Sequence, residues 1–124
     1  MSPFDPFVGL PYGVRSRGPT AYDCWGLVVE VYRQALGIHL PLFGDAASGA
    51  DEDRLFREER DFVRPVERAE LFDLVLIRER PWHIGLWAGR ASILHMPFEG
   101  TSIIEPVTRF GRRIEGYYRH VERL

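Results

Sequence analysis

Hydrophobic spacing changes twice along this chain. Up to residue 22, Pro3, Pro6, Gly9, Pro11, Gly13, Gly18 and Pro19 interrupt every apolar run, which predicts an extended, turn-rich lead-in without a regular element. From residue 24 to 36 the spacing becomes helical, because Leu27, Val28, Val31, Tyr32, Ala35 and Leu36 fall on one side of a helix. Asp23 is placed to cap the start of that helix and Gly37 to close it. Residues 41–50 predict a loop. The charged run DEDRLFREERDF that follows, with Leu55, Phe56 and Phe62 on one side, predicts a short surface helix with a solvated face. Beyond Pro65, short apolar runs separated by turn residues take over, at 74–77, 82–88 and 92–96 and then near 102–107 and 113–120. These read as antiparallel strands. A helix followed by strands too closely spaced for helical crossovers predicts an α+β fold.

Composition narrows the partners. A chain of 124 residues that is 45% hydrophobic suits one domain over residues 1–124. No apolar run is long enough to cross a bilayer, so no membrane span is expected. The start MSPFDPFVGLPYG lacks an export signal, so synthesis in the cytoplasm without a signal peptide is expected. The formal net charge is −2, and the sixteen basic residues, all Arg, are interleaved with acids, which argues against nucleic acid as a partner. A single Cys excludes an internal disulfide and a multi-thiolate metal site. Zinc held by that Cys and the histidines lacks a short-spaced ligand pair, so neither metal nor cofactor is expected.

The lone thiol is either packing or chemistry. A lone Cys is ordinarily a small buried hydrophobe, and strand histidines are ordinarily satisfied interior residues. Position favours chemistry here. With Asp23 as cap, Cys24 occupies the first helical turn, where unpaired amides and the dipole favour a thiolate, although the Asp23 charge offsets part of that effect. Activation then has to come from an imidazole, as an ion pair or as a general base. Cys24 lies on the apolar side of its helix, and His83 and His95 lie on adjacent predicted strands. If Ala88 faces Ser92 across the turn, Gly85 faces His95, and His83 becomes the diagonal neighbour of His95 on one sheet face. A slip of one residue would separate the rings. Gly85 is expected to leave space beside both rings for a substrate or for the helix start. A capped Cys24 followed by paired strand histidines meets the geometric demands of nucleophile, base and orienting group together. Surface roles are expected for His39 and His120.

These residues also carry a resemblance. Tyr22-Asp-Cys-Trp-Gly-Leu-Val28 resembles the Asp-Cys-small-Gly-Leu-Val signature of the NlpC-type cysteine peptidases, bacterial cell-wall enzymes with a minimal papain-like core. Leu10-Pro-Tyr12 is similar to that family's Pro-Tyr element, Asp73-Leu-Val75 to its Gly-Asp-Leu-Val strand, His83-Ile-Gly-Leu86 to its His-Val-Gly-Ile strand, and Ile93-Leu-His95 to its third catalytic strand. The resemblance implies Cys24 as nucleophile, His83 as base and His95 as the orienting polar residue. It also implies substrate-binding roles for Tyr12, Asp23 and Trp25, with the Cys24 N–H helping to hold the oxyanion. Two positions depart from the pattern: Trp25 replaces a small residue that helps read the substrate's amine, and Phe72 stands where Gly is common.

The function so implied is hydrolysis of peptidoglycan stem peptides, at the bond between the side-chain carboxyl of D-glutamate and a diamino acid. Cys-Trp-Gly-Leu, the Arg-rich middle and the Arg113-Ile-Glu-Gly-Tyr-Tyr-Arg119 ending look most like stand-alone versions encoded with phage tail genes, which implies tail proteins as partners and a virion as location. Two alternatives stay open: a non-enzymatic tail or assembly module on the same core, and a thiol amidase or acyltransferase that delivers the acyl group to another acceptor.

Overall fold

The computed structural model describes residues 2–42, 60–79 and 83–124. Helix α1 (Cys24–Val31) begins at the predicted residue, because Asp23 adopts extended backbone and its Oδ1 accepts the Gly26 N–H at 2.6 Å. A π-helical turn (Tyr32–Leu36) prolongs it to Gly37, whose φ of +66° ends the helix at little steric cost. Gly26 serves a different need. A Cβ there would lie 2.2 Å from the Ser16 carbonyl oxygen, so glycine lets the lead-in backbone rest on the first turn of α1.

Six strands form one antiparallel sheet among the described residues: β1 (Val63–Val66), β2 (Leu74–Ile77), β3 (His83–Gly89), β4 (Ser92–His95), β5 (Ile103–Pro106) and β6 (Ile114–His120). Their order across the sheet is β1-β6-β2-β3-β4-β5. The α+β expectation therefore holds, with α1 packed on β3 and β4. Five strands match predicted runs within about a residue at each end. β1 does not, since Pro65 within it argues against a strand; Pro is accepted because β1 is an edge strand paired only with β6.

Each face of the sheet has its own core. Leu74, Leu76, Ile84, Leu86, Leu94 and Met96 meet Leu27, Val28 and Val31 of α1 on the first. Val75, Ile77 and Ile93 meet Phe110 on the second, beside Trp87, Ile114 and Tyr117. Being buried on both faces explains why 74–77 reads as continuously apolar.

Several expectations need correction or fall elsewhere. The lead-in does hold a regular element, a 3-10 turn at Asp5–Phe7, and its Phe4 and Phe7 belong to the first core. His39 is exposed as expected, but His120 is buried. The last residue of β6 turns inward, its ring packs near Tyr32 and Phe62, and its Nδ1 accepts the Glu122 N–H at 3.1 Å. Most of the predicted helix over 51–62 and of the 41–50 loop lies outside the described residues, as does Trp82; the last residues of that helix, Arg60–Phe62, form a 3-10 turn. No helix among the described residues is long and apolar enough to cross a membrane.

Asp73 and Phe72 fix the start of β2. The Asp73 carboxylate is fully buried and takes two Arg119 nitrogens, Nε at 3.0 Å and Nη2 at 2.8 Å, together with the Glu70 N–H at 2.7 Å, which ties β2 to β6. Phe72 has a φ of +73°, and this explains why glycine suits the position. The Phe ring is retained by stacking on Phe4 at 4.7 Å and by the Arg123 guanidinium 5.3 Å away.

Candidate active site

The β3–β4 hairpin delivers the two histidines together. Gly85 faces His95 and Trp87 faces Ile93, as the register argument requires. The turn differs in detail, since Gly89 rather than Ala88 pairs with Ser92 and Ala88 is the bulged residue. His83 Nε2 lies 2.9 Å from His95 Nδ1, and the rings stand nearly perpendicular at 84°. The other His95 nitrogen, Nε2, lies 2.6 Å from Glu105 Oε2 on β5. Three adjacent strands thus carry one hydrogen-bonded chain, His83–His95–Glu105. Phe110 covers His95 edge-on, with ring centres 5.0 Å apart.

The space expected beside Gly85 is taken by the protein itself. A Cβ on Gly85 would meet Ile93 Cγ2 at 2.7 Å, the Leu94 carbonyl oxygen at 2.8 Å and His95 Cβ at 3.2 Å. Glycine here lets β4 and the His95 backbone come close to β3; it opens no substrate pocket.

Cys24 is the first residue of α1, half-buried, and packs against the first core. Alternation along β3 and β4 aims His83 and His95 to the other side, with Trp87 and Ile93. His83 is nevertheless the first residue of its strand, at the sheet's end rather than over its middle. The Asp23 charge beside Cys24 is compensated, because Arg17 Nη1 pairs with its Oδ2 at 2.5 Å. That ion pair restores much of the helix-start advantage that Asp23 alone would diminish.

The other assigned residues are less available. Asp23 is buried, with one oxygen on Gly26 and the other on Arg17. Trp25 is 3% exposed; its indole donates to the Pro41 carbonyl at 2.8 Å and it lies edge-on to Phe62. Its side chain is a core member with almost no surface through which to read an amine. Tyr12 is half-buried, its backbone bridged to Tyr22 two residues before Cys24, and its ring lies 5.3 Å from that of the exposed Phe98.

The profile of the NlpC/P60 family matches residues 9–118. The chain belongs to the NlpC/P60 family. A "Probable endopeptidase" of Corynebacterium glutamicum is 27% identical over 100 residues, covering 79% of this chain and 42% of that protein. The chain therefore spans less than half the length of that relative. The NlpC/p60 domain of the peptidoglycan hydrolase SagA superposes with a TM-score of 0.67 at 18% identity, covering 94% of this chain and 91% of that one. RipD of Mycobacterium tuberculosis, described as a non-catalytic NlpC/p60 protein adapted to peptidoglycan binding, superposes with a TM-score of 0.62 at 18% identity, covering 94% and 89%. The NlpC/P60 relatives thus include a protein named a probable endopeptidase, a domain of a peptidoglycan hydrolase and a member described as non-catalytic.

Burial within this NlpC/P60 site pushes the His83 imidazole down, to about 3, with further lowering from His95 and Arg113. Burial also lowers His120. Both rings stay neutral in the folded chain at a pH where free imidazole protonates. Below about pH 6.5 the unfolded chain binds more protons than the folded one, so stability present at neutral pH is lost as pH falls from 6.5 toward 3. The loss approaches about 1.4 kcal/mol per pH unit for one such ring. Urea unfolding between about pH 7 and 5 should give a falling free energy, with a shallower slope in His83→Asn; equal slopes would contradict a neutral His83.

Proposed function

We propose that the chain is a cysteine endopeptidase acting on peptidoglycan stem peptides, at the bond joining the D-glutamate side-chain carboxyl to a diamino acid. The observation that carries this reading is the His83–His95–Glu105 chain, which occupies Nε2 of His83 and leaves its Nδ1 as the nitrogen to act as base toward the Cys24 thiol. His83 removes the Cys24 proton and the sulfur attacks the carbonyl carbon, giving an oxyanion that the Cys24 N–H helps to hold. Collapse forms the thioester and expels the amine, which takes its proton from His83. Water then gives a proton to His83 and adds to the thioester, releasing the carboxylic acid and returning the thiol. The endopeptidase relative supports the reaction type, and the SagA domain of a peptidoglycan hydrolase supports the substrate class. RipD indicates that the fold does not itself guarantee hydrolysis, so the reading rests on residues.

The test is digestion of purified peptidoglycan with mass spectrometry of the soluble products. Fragments with a new amino terminus on the diamino acid and a free D-glutamate side-chain carboxyl are expected. Transfer to an added amine in place of water would identify an acyltransferase. Iodoacetamide should modify Cys24 at neutral pH more slowly in His83→Ala; absence of fragments together with an unchanged alkylation rate would end the proposal.

A further inference from the structure

We propose that Glu105 is a positioning residue of this site, whose carboxylate sets the tautomer of His95 and, through it, that of His83. The inference rests on the hydrolase reading for its kinetic consequence but not for its chemistry. It starts from the sheet register. Gly85 faces His95 across β3 and β4, and His95 faces Ile103 across β4 and β5. His83 and Glu105 are each two residues from those partners, so both are diagonal neighbours of His95, one on either side, on the same face. The two observed contacts, 2.9 Å and 2.6 Å, follow from that staircase.

Hydrogen-bond inventory then fixes the protons. An ionised carboxylate only accepts, so His95 Nε2 must donate to Glu105. In a neutral ring this leaves His95 Nδ1 as a lone pair, which can only accept, and His83 Nε2 must therefore carry the proton between the rings. The remaining His83 nitrogen, Nδ1, is left unprotonated, as a base must be. Reversing the chain removes the base: if His95 donated from Nδ1, His83 would accept at Nε2 and hold its own proton on Nδ1. A His95 cation, donating from both nitrogens, would have the same effect, so the neutral relay is the working state. Glu105 is a half-buried side chain anchored on β5. Its second oxygen lies 3.8 Å from Arg109 Nε, four residues on. Phe110, edge-on to His95, limits the access of water that could substitute for the carboxylate.

The experiment uses the full chain with 15N-labelled histidine at about pH 8. Ring-nitrogen spectra of the unsubstituted chain should show both His83 and His95 as single Nε2–H tautomers. Glu105→Met keeps the length and removes the acceptor; it should give mixed tautomers at His95 and lower kcat roughly 10–100-fold with KM within about twofold. Glu105→Gln restores an acceptor and should recover part of both, and it serves as the second variant if Glu105→Met folds poorly. Unchanged single tautomers with unchanged kcat in Glu105→Met would overturn the proposal. If the unsubstituted chain cleaves nothing, the hydrolase reading falls, while the spectra still decide whether Glu105 sets the tautomers.

Discussion

Cys24→Ala is expected to lower fragment release from peptidoglycan by roughly 10⁴-fold or more while leaving unfolding free energy within about 1 kcal/mol of the original. The kinetic loss follows from the absence of any other thiol, since the sequence has one Cys. Without the sulfur no thioester forms, and His83 could only direct water at an unactivated amide. Stability should hold because the helix start depends on neighbours rather than on the sulfur. Asp23 Oδ1 caps Gly26, Arg17 holds the other Asp23 oxygen, and Gly26 admits the Ser16 backbone. Cys24 is half-buried, so its loss leaves at most a small void, and alanine is a better helix former. Cys24→Ser supplies a shape-conserving comparison and should also be nearly inactive. Release at the original rate by both variants, measured alongside urea unfolding, would remove Cys24 from the mechanism.

What the sequence disclosed depended on how local the signal was. The α1 start was legible because its determinants, Asp23, Gly26 and the apolar stripe, lie within one segment. The β3–β4 register was legible because a short turn leaves few alternatives, and it gave the His83–His95 pair correctly despite the bulge at Ala88. β1 was hidden by Pro65, since pairing only with distant β6 at an edge leaves no local trace. Phe4 and Phe7 enter the core from a segment whose prolines and glycines suggest only wrapping, and burial of His120 depends on Tyr32 and Phe62 far along the chain. The resemblance implies a substrate-binding role for Trp25, whereas its indole is directed inward to Pro41. Glu105 does carry a signal: carrying the register one strand further, into the apolar run at 102–107, places Glu105 diagonal to His95. The virion association rests on the resemblance of a few short segments and has no counterpart in the geometry.

Gly85→Ala is the substitution expected to join stability and catalysis most directly. The added methyl would stand 2.8 Å from the Leu94 carbonyl oxygen, 2.7 Å from Ile93 Cγ2 and 3.2 Å from His95 Cβ. An Ile methyl can rotate aside, but the Leu94 carbonyl belongs to the strand's backbone, so β4 itself must move away from β3. Overpacking of this kind costs roughly 1–3 kcal/mol, to be read from urea unfolding. The same displacement carries His95 away from His83, whose base nitrogen is defined by a 2.9 Å contact between them. A shift approaching 1 Å at such a site lowers turnover by about 10²-fold. The kinetic loss should therefore persist at temperatures where the variant is fully folded, with the His83 and His95 ring-nitrogen signals altered. A folded Gly85→Ala chain with full turnover and unaltered histidine signals would mean that β3 and β4 tolerate separation, and that the close approach allowed by Gly85 is not what holds the site together.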